Sequence, residues 1–279
     1  MFEKVLYPTD FSEVSLKVLR ECLPELKTLG AKEFHILHIV DITLTEFEAF
    51  TLQEIYREKI KDLKKELEEK GLKVRTEVKI GIPSVEIAEY AEKEGVDLII
   101  TPSVGQNIWR RMFVGSTASN LARTTRRPVL VLKYVQEDEE YKPTFDSCLK
   151  IFLRPLVAID FSRCSLRIVE TVKKFEELTE KIILLHSVDY GSIDEIETNI
   201  KLAEKNLEKT SKAFKRPVEK EVMVGTASQA IIGTSIAKRA TLVVIGKKGR
   251  SFLKDLLLGS TAERVLRDSK LPVLLVPCE

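Results

Sequence analysis

The strongest constraint on this chain is internal repetition, visible before any motif is sought. VLYPTDFSEVSLKVL (Val5–Leu19) returns as PLVAIDFSRCSLRIV (Pro155–Val169), with Asp-Phe-Ser in register. HILHIVD (His35–Asp41) returns as ILLHSVD (Ile183–Asp189), and RRPVLVLK (Arg126–Lys133) as KLPVLLVP (Lys270–Pro277). Gly81 to Gly105 spans the same 24 positions as Gly225 to Gly249. Matching blocks in one order mean that a whole domain was duplicated. The length of 279 residues agrees, since it exceeds one typical α/β domain. The expected division is a domain over 1–136, an acidic linker over 137–150 and a second domain over 151–279.

Each half alternates short apolar runs with helical patterns. In the second half the strands are expected at Pro155–Ile159, Lys181–Ser187, Lys220–Val224, Thr241–Gly246 and Pro272–Val276. Their near-continuous apolar character suits strands buried on both faces of a parallel sheet. Helices are expected between them, at Cys164–Glu180 and Glu195–Lys215. Strand-helix alternation with right-handed crossovers gives an α/β, doubly wound sandwich, here two in tandem.

Charge and composition exclude several function classes. The 45 basic and 43 acidic residues leave +2, without the basic excess of a nucleic-acid binder. No apolar run approaches the roughly 18 residues of a membrane span. The first residues, MFEKVLYPTDFSE, lack the apolar core of a signal peptide, so a cytoplasmic location is expected. Cys22, Cys148, Cys164 and Cys278 lie far apart and are expected to be reduced thiols. Three unclustered histidines give no zinc site. Lys, Arg and Glu outnumber Asn and Gln, a bias that suits a thermophile.

The richest local chemistry is GKKGRSFLKDLLLGSTAERV (Gly246–Val265). Gly246 and Gly249 form the turn at the carboxyl end of the fourth strand, where open α/β sheets hold ligands. Gly259, Ser260 and Thr261 open the next helix, where free N–H groups favour an anion. Two walls of a phosphate site result. The same residues also read as a tight turn, a solvated basic face at Lys247, Lys248, Arg250 and Lys254, and a capping box at Ser260–Glu263. No Gly-Lys-Ser/Thr closes the run, so it is not a Walker A loop.

Gly-x2-Gly-x9-Gly-Ser, an Asp at the end of strand one and a Pro-led apolar last strand resemble the universal stress protein family, over nearly the whole chain and twice. The resemblance implies a flavodoxin-like, five-stranded parallel sheet of order 3-2-1-4-5 in each half, and an adenine nucleotide, ATP or AMP, as ligand. It places the adenine between the loops after strands one and two, near Ala158, Ile159 and Ser187. Asp160 would accept from the ribose or stand near a nucleotide-bound Mg. Gly246, Gly249, Gly259, Ser260 and Thr261 would hold the phosphates, with Lys248 adding charge, and Ile245 would complete the nucleotide site.

The first half departs from this pattern. TPSVGQNIWRRMFVGST (Thr101–Thr117) keeps Gly105, Gly115 and Ser116, but Pro102 stands where the first glycine belongs. Proline has no N–H and a fixed φ, so it cannot donate to a phosphate. A weaker first site is expected at Pro8, Thr9, Asp10, Ile39, Gly105, Gly115, Ser116 and Thr117. Trp109 is read as a loop anchor, and the duplicated His38 and His186 as hydrogen-bonded structural residues.

The resulting function is a nucleotide-binding stress or signalling protein. A slow ATPase and a nucleotide-independent interaction module are the alternatives. No general base stands at a recognisable spacing, so catalysis is not expected. The fifth strands, VLVL and VLLV, are apolar terminal strands that need covering. Family resemblance implies that they pair, giving an internal pseudo-dimer of the two domains and homo-oligomers beyond it.

Overall fold

A computed structural model of the chain describes residues 1–41, 46–103, 116–137, 140–248 and 258–278. It divides into two compact units, Met1–Pro143 and Thr144–Glu279.

The first unit runs β1 (Lys4–Pro8), α1 (Glu13–Thr28), β2 (Glu33–Asp41), α2 (Glu46–Glu69), β3 (Val74–Gly81), α3 (Pro83–Lys93), β4 (Leu98–Pro102), α4 (Ser116–Thr124) and β5 (Val129–Leu132). A hairpin follows, β6 (Tyr134–Glu137) antiparallel to β7 (Glu140–Pro143). The second unit runs β8 (Pro155–Ala158), α5 (Arg163–Lys173), β9 (Ile182–Val188), α6 (Ile196–Ser211), β10 (Val218–Val224), α7 (Ala227–Ala237), β11 (Leu242–Gly246), α8 (Ser260–Asp268) and β12 (Val273–Val276).

Apart from that hairpin, the described strand pairings within each unit are parallel. In the first, β1 pairs with β2 and β4, β2 with β3, and β4 with β5. In the second, β8 pairs with β9 and β11, β9 with β10, and β11 with β12. Each unit therefore has the order 3-2-1-4-5. The direction of winding reverses between β1 and β4, and again between β8 and β11. Strands β4 and β11 are buried along their whole length, because helices cover both faces.

Several elements differ from expectation. Helix α5 stops at Lys173 and gives way to a 3-10 turn, Glu176–Leu178. Phe175 is buried there, its ring 4.8 Å from that of Phe152, so tertiary packing overrides the helical pattern. The stretch expected as a linker is structured: it holds β7 and a 3-10 turn, Cys148–Lys150, in which the Ser147 hydroxyl accepts from Leu149 N at 3.1 Å. Strands of four residues alternating charge and aromatic groups leave little periodicity to read.

The cysteines require correction. They are not reduced thiols: Cys164 and Cys278 form a disulfide, and Cys22 and Cys148 are disulfide-bonded as well. The cause is topological. Cys164 sits in the first turn of α5 and Cys278 just beyond β12, 114 positions away. Helix α5 packs on β11 and β12, so the two Cα atoms come within 4.4 Å. Spacing along the chain does not reveal such a convergence. Among the described residues no helix is long and apolar enough to cross a membrane.

Candidate functional site

The second unit holds a cavity of about 340 Å³ at the carboxyl ends of β8, β9 and β11, against the start of α8. This is the place where the strand order reverses, the usual ligand position in open α/β sheets. Three walls build it.

The first wall is the turn after β8. The Asp160 carboxylate accepts from Ser162 N at 3.0 Å and from Ser165 Oγ at 3.0 Å, while Asp160 N donates to Ser165 Oγ at 3.2 Å. This local bracing of an Asp by the residue two ahead is an Asx turn. It forces Phe161 to φ 61°, a left-handed conformation rarely adopted by a bulky side chain. The Phe161 ring lies 4.5 Å from that of His186. His186 Nδ1 donates to the Ile159 carbonyl at 2.8 Å, and its Nε2 meets Tyr190 Oη at 3.3 Å. The strand-two histidine thus pins the turn from behind. It also lines the cavity.

The second wall is the end of β9. Ser187 and Asp189 line the cavity, and Ser187 Oγ donates to the Gly225 carbonyl at 2.6 Å.

The third wall joins the exit of β11 to α8. Lys247 N donates to Val276 O at 2.9 Å, and the Lys247 carbonyl accepts from Gly259 N at 2.7 Å, tying the strand exit to the helix start. Gly246 is fully buried and does not take a positive φ. Its small size is what matters: a Cβ there would stand 2.6 Å from Cys164 Sγ and 3.1 Å from Lys248 O. Gly259 is the N-cap of α8 and Ser260 its first helical residue, with no side-chain capping bond. The alternative reading of Ser260–Glu263 as a capping box does not hold, since Gly259 is the N-cap, and exposed Ser260 faces the cavity. Lys247, which could also be read as part of a solvated face, is only 6% exposed, and burial pushes its amine down to about 7. Lys248 is half-buried.

Of the residues singled out from sequence, Ala158, Ile159, Asp160, Ser187, Ile245, Gly246, Lys248, Gly259, Ser260 and Thr261 all line this one cavity. Gly249 lies outside the described residues. The sequence reading missed Lys247, Asp189, and the apolar Ile168, Leu185 and Ile231. Asp189 was available as the repeat partner of Asp41. The burial of Lys247, beside another lysine, left no local signal. Among the described residues no group of three or more His, Cys, Asp or Glu side chains is arranged to hold a metal.

The first unit repeats the turn. Pro8 ends β1, Asp10 accepts from Ser12 N at 2.9 Å, and Phe11 sits at φ 59°. His38 Nδ1 donates to Thr9 O at 2.8 Å. Ser15, however, is bonded to Thr9 Oγ1 at 2.9 Å instead of to the aspartate. Tyr56 of α2 lies 3.9 Å from His38 and 5.2 Å from Phe11, ring to ring. Ile39 is in β2 and half-buried, and Ser116 and Thr117 open α4. Pro102 ends β4 fully buried, and Tyr134 N donates to Ser103 Oγ at 3.1 Å beside it. Gly105, Trp109 and Gly115 lie outside the described residues.

An Asx turn, a glycine strand exit and a helix start around one cavity, on a doubly wound sheet that the chain carries twice, define an α/β protein with a pocket at the reversal of strand order. The chain belongs to the universal stress protein family, whose family model matches residues 1–133 and again 153–277. It is 36% identical over 156 residues to universal stress protein MJ0577 of Methanocaldococcus jannaschii, covering 48% of this chain and 96% of that protein. It is 25% identical over 210 residues to universal stress protein Rv2005c of Mycobacterium tuberculosis, covering 74% of this chain and 70% of that one. A solved universal stress protein from Archaeoglobus fulgidus superposes with a TM-score of 0.75 at 25% identity, over 99% of this chain and 98% of the other.

Proposed function

We propose that this universal stress protein binds an adenine nucleotide, ATP or AMP, in the second-unit cavity, and that occupancy alters a surface through which the protein signals. The observation that carries this reading is convergence. Two acceptor carboxylates, one helix N-terminus and two lysines border a single cavity of nucleoside-ligand size. A carboxylate only accepts, which suits ribose hydroxyls, and the free N–H groups and dipole of α8 suit phosphates. Adenine is assigned to the Ala158–Ser187 side and the phosphates to Gly259, Ser260 and Thr261. Magnesium would enter with the phosphates, near Asp160. In the first unit Pro102 removes a phosphate donor, so that site is assigned weak binding of AMP or adenosine.

Binding rather than hydrolysis is proposed. Both ring nitrogens of His186 are engaged, and Asp160, whose Oδ1 braces the turn, is assigned to the ribose, so neither is placed as a general base. Phosphate release from ATP should be absent or far below one turnover per second; several per second, lost in Asp160→Asn, would make the protein an ATPase.

The direct test is chromatography of nucleotide released from the purified protein by heat or acid, followed by calorimetry with ATP and AMP. Gly249→Val should abolish binding in a protein with unchanged circular dichroism. Unchanged affinity in that variant would remove the phosphate assignment.

A further inference from the structure

Behind the third wall of the cavity lies the Cys164–Cys278 disulfide, and three parts of the site rest on it. Cys164 Sγ occupies the space a side chain at position 246 would fill, 2.6 Å from where its Cβ would stand. Cys278 Sγ approaches the Lys248 carbonyl at 3.6 Å. Ser165, next to Cys164 in the first turn of α5, holds the Asp160 carboxylate at 3.0 Å. The two sulfurs therefore touch the β11 exit directly and reach the Asx turn through one hydrogen bond. Gly246, Lys248 and Asp160 all line the cavity.

We propose that this disulfide is a redox switch for the second-unit site: oxidised, it holds the cavity rim in its binding shape, and reduced, it releases it. The switch rests on the nucleotide reading above for what the cavity binds, though not for its effect on the rim. The physical cause is steric. Two bonded sulfurs stand closer than two thiols can. Breaking the bond must push Cys164 toward Gly246, where there is no room, or move Cys278 and the segment after β12 away from Lys248. Either movement shifts the turn that faces the ligand.

The chemistry balances with a small dithiol as reductant. Cys164 is 5% exposed and Cys278 half-buried, so the attacking thiolate reaches Cys278. A reagent–Cys278 disulfide forms as the Cys164–Cys278 bond breaks, and Cys164 leaves as a thiolate that takes up a proton. The second thiol of the reagent then displaces Cys278, which is protonated in turn. Two electrons and two protons pass to the protein, and the reagent ends as its own disulfide. The first unit has no counterpart. Val14 and Tyr134 occupy the corresponding positions.

The experiment compares hydrogen exchange in the oxidised protein, the protein reduced with dithiothreitol and reoxidised, and Cys278→Ser under oxidising conditions, which leaves Cys22 and Cys148 bonded. Peptides covering Ile159–Ser165 and Ile245–Lys248 are read, and ATP is titrated calorimetrically on the same samples. Exchange at both segments should rise in the reduced protein and in Cys278→Ser, and return on reoxidation. ATP affinity should fall by about tenfold, the loss of one charge-assisted contact. Equal exchange at these segments in oxidised and reduced protein would overturn the switch. A rim that loosens in a protein binding neither ATP nor AMP would support the switch and sink the nucleotide reading instead.

Discussion

The exits of β4 and β11 solve one packing problem with opposite residues. In the second unit Gly246 leaves a space that Cys164 fills, and Cys278 closes the arrangement from the far side. In the first unit the corresponding positions carry Pro102, Val14 and Tyr134, all buried. Pro102 stands at the position of the glycine, and Val14 and Tyr134 stand at those of the two cysteines. The glycine of the motif is thus one member of a set of three. Its loss in the first unit is a replacement of the whole set, not an isolated defect. Motif glycines can be demanded from behind, by packing, as much as from the front by a ligand.

The sharpest way to break this comparison is to count ATP sites. Asp160→Ala should remove the tight site, costing about a hundredfold or more in affinity, while Asp10→Ala should barely register. Calorimetry should find one tight site per chain, and two equal sites would mean that Pro102 is tolerated.

Gly246→Ala comes next. Its added methyl meets a sulfur and a carbonyl, and overpacking of this kind costs about 1–3 kcal/mol. Thermal unfolding should show the loss, and a Cys164→Ala background should relieve part of it. Additive losses in the double variant would mean that the two residues do not share the space.

Lys247 distinguishes the units by pH. With its amine at about 7, it is largely neutral at pH 9. A bound phosphate favours the charged form, so binding should take up protons above pH 7. ATP affinity should then weaken as pH rises from 7 to 9, by up to about tenfold per unit. Asp160, Asp189, His186 and Lys248 border the same cavity, so the profile must be compared with that of Lys247→Met, which should be flatter. A slope unchanged in that variant would reassign the titration to one of them.

The smallest effect is expected from Pro102→Gly. It should cost about 1 kcal/mol through unfolded-chain entropy and lost packing, and create no second ATP site. A tight second site in this variant would restore the simpler view that one glycine was missing.

The repeat made the fold legible, because near-continuous apolar strands alternating with helical patterns leave few topologies. Asp160, Gly246, Gly259 and Ser260 were legible because turn and helix-start chemistry is local. What escaped depends on contacts far along the chain. The Cys164–Cys278 bond follows from the fifth strand ending beside the first helix, and the burial of Lys247 from the strand exit folding under. The strain at Phe161 is invisible too, since nothing in Asp-Phe-Ser announces a left-handed phenylalanine. The hairpin of β6 and β7 was missed for lack of apolar alternation.

Phe11 and Phe161 also set a hazard for protein engineering. A library screened for heat resistance alone would be drawn to glycine at these positions, since a left-handed side chain costs about 1–2 kcal/mol that glycine does not pay. At 161 the winning clone would lose the ring lying against His186, and with it the support beneath the aspartate. It would score as improved while its ligand site fell slack. Any stability campaign on this scaffold should hold positions 11 and 161 fixed, or score ligand retention alongside melting temperature.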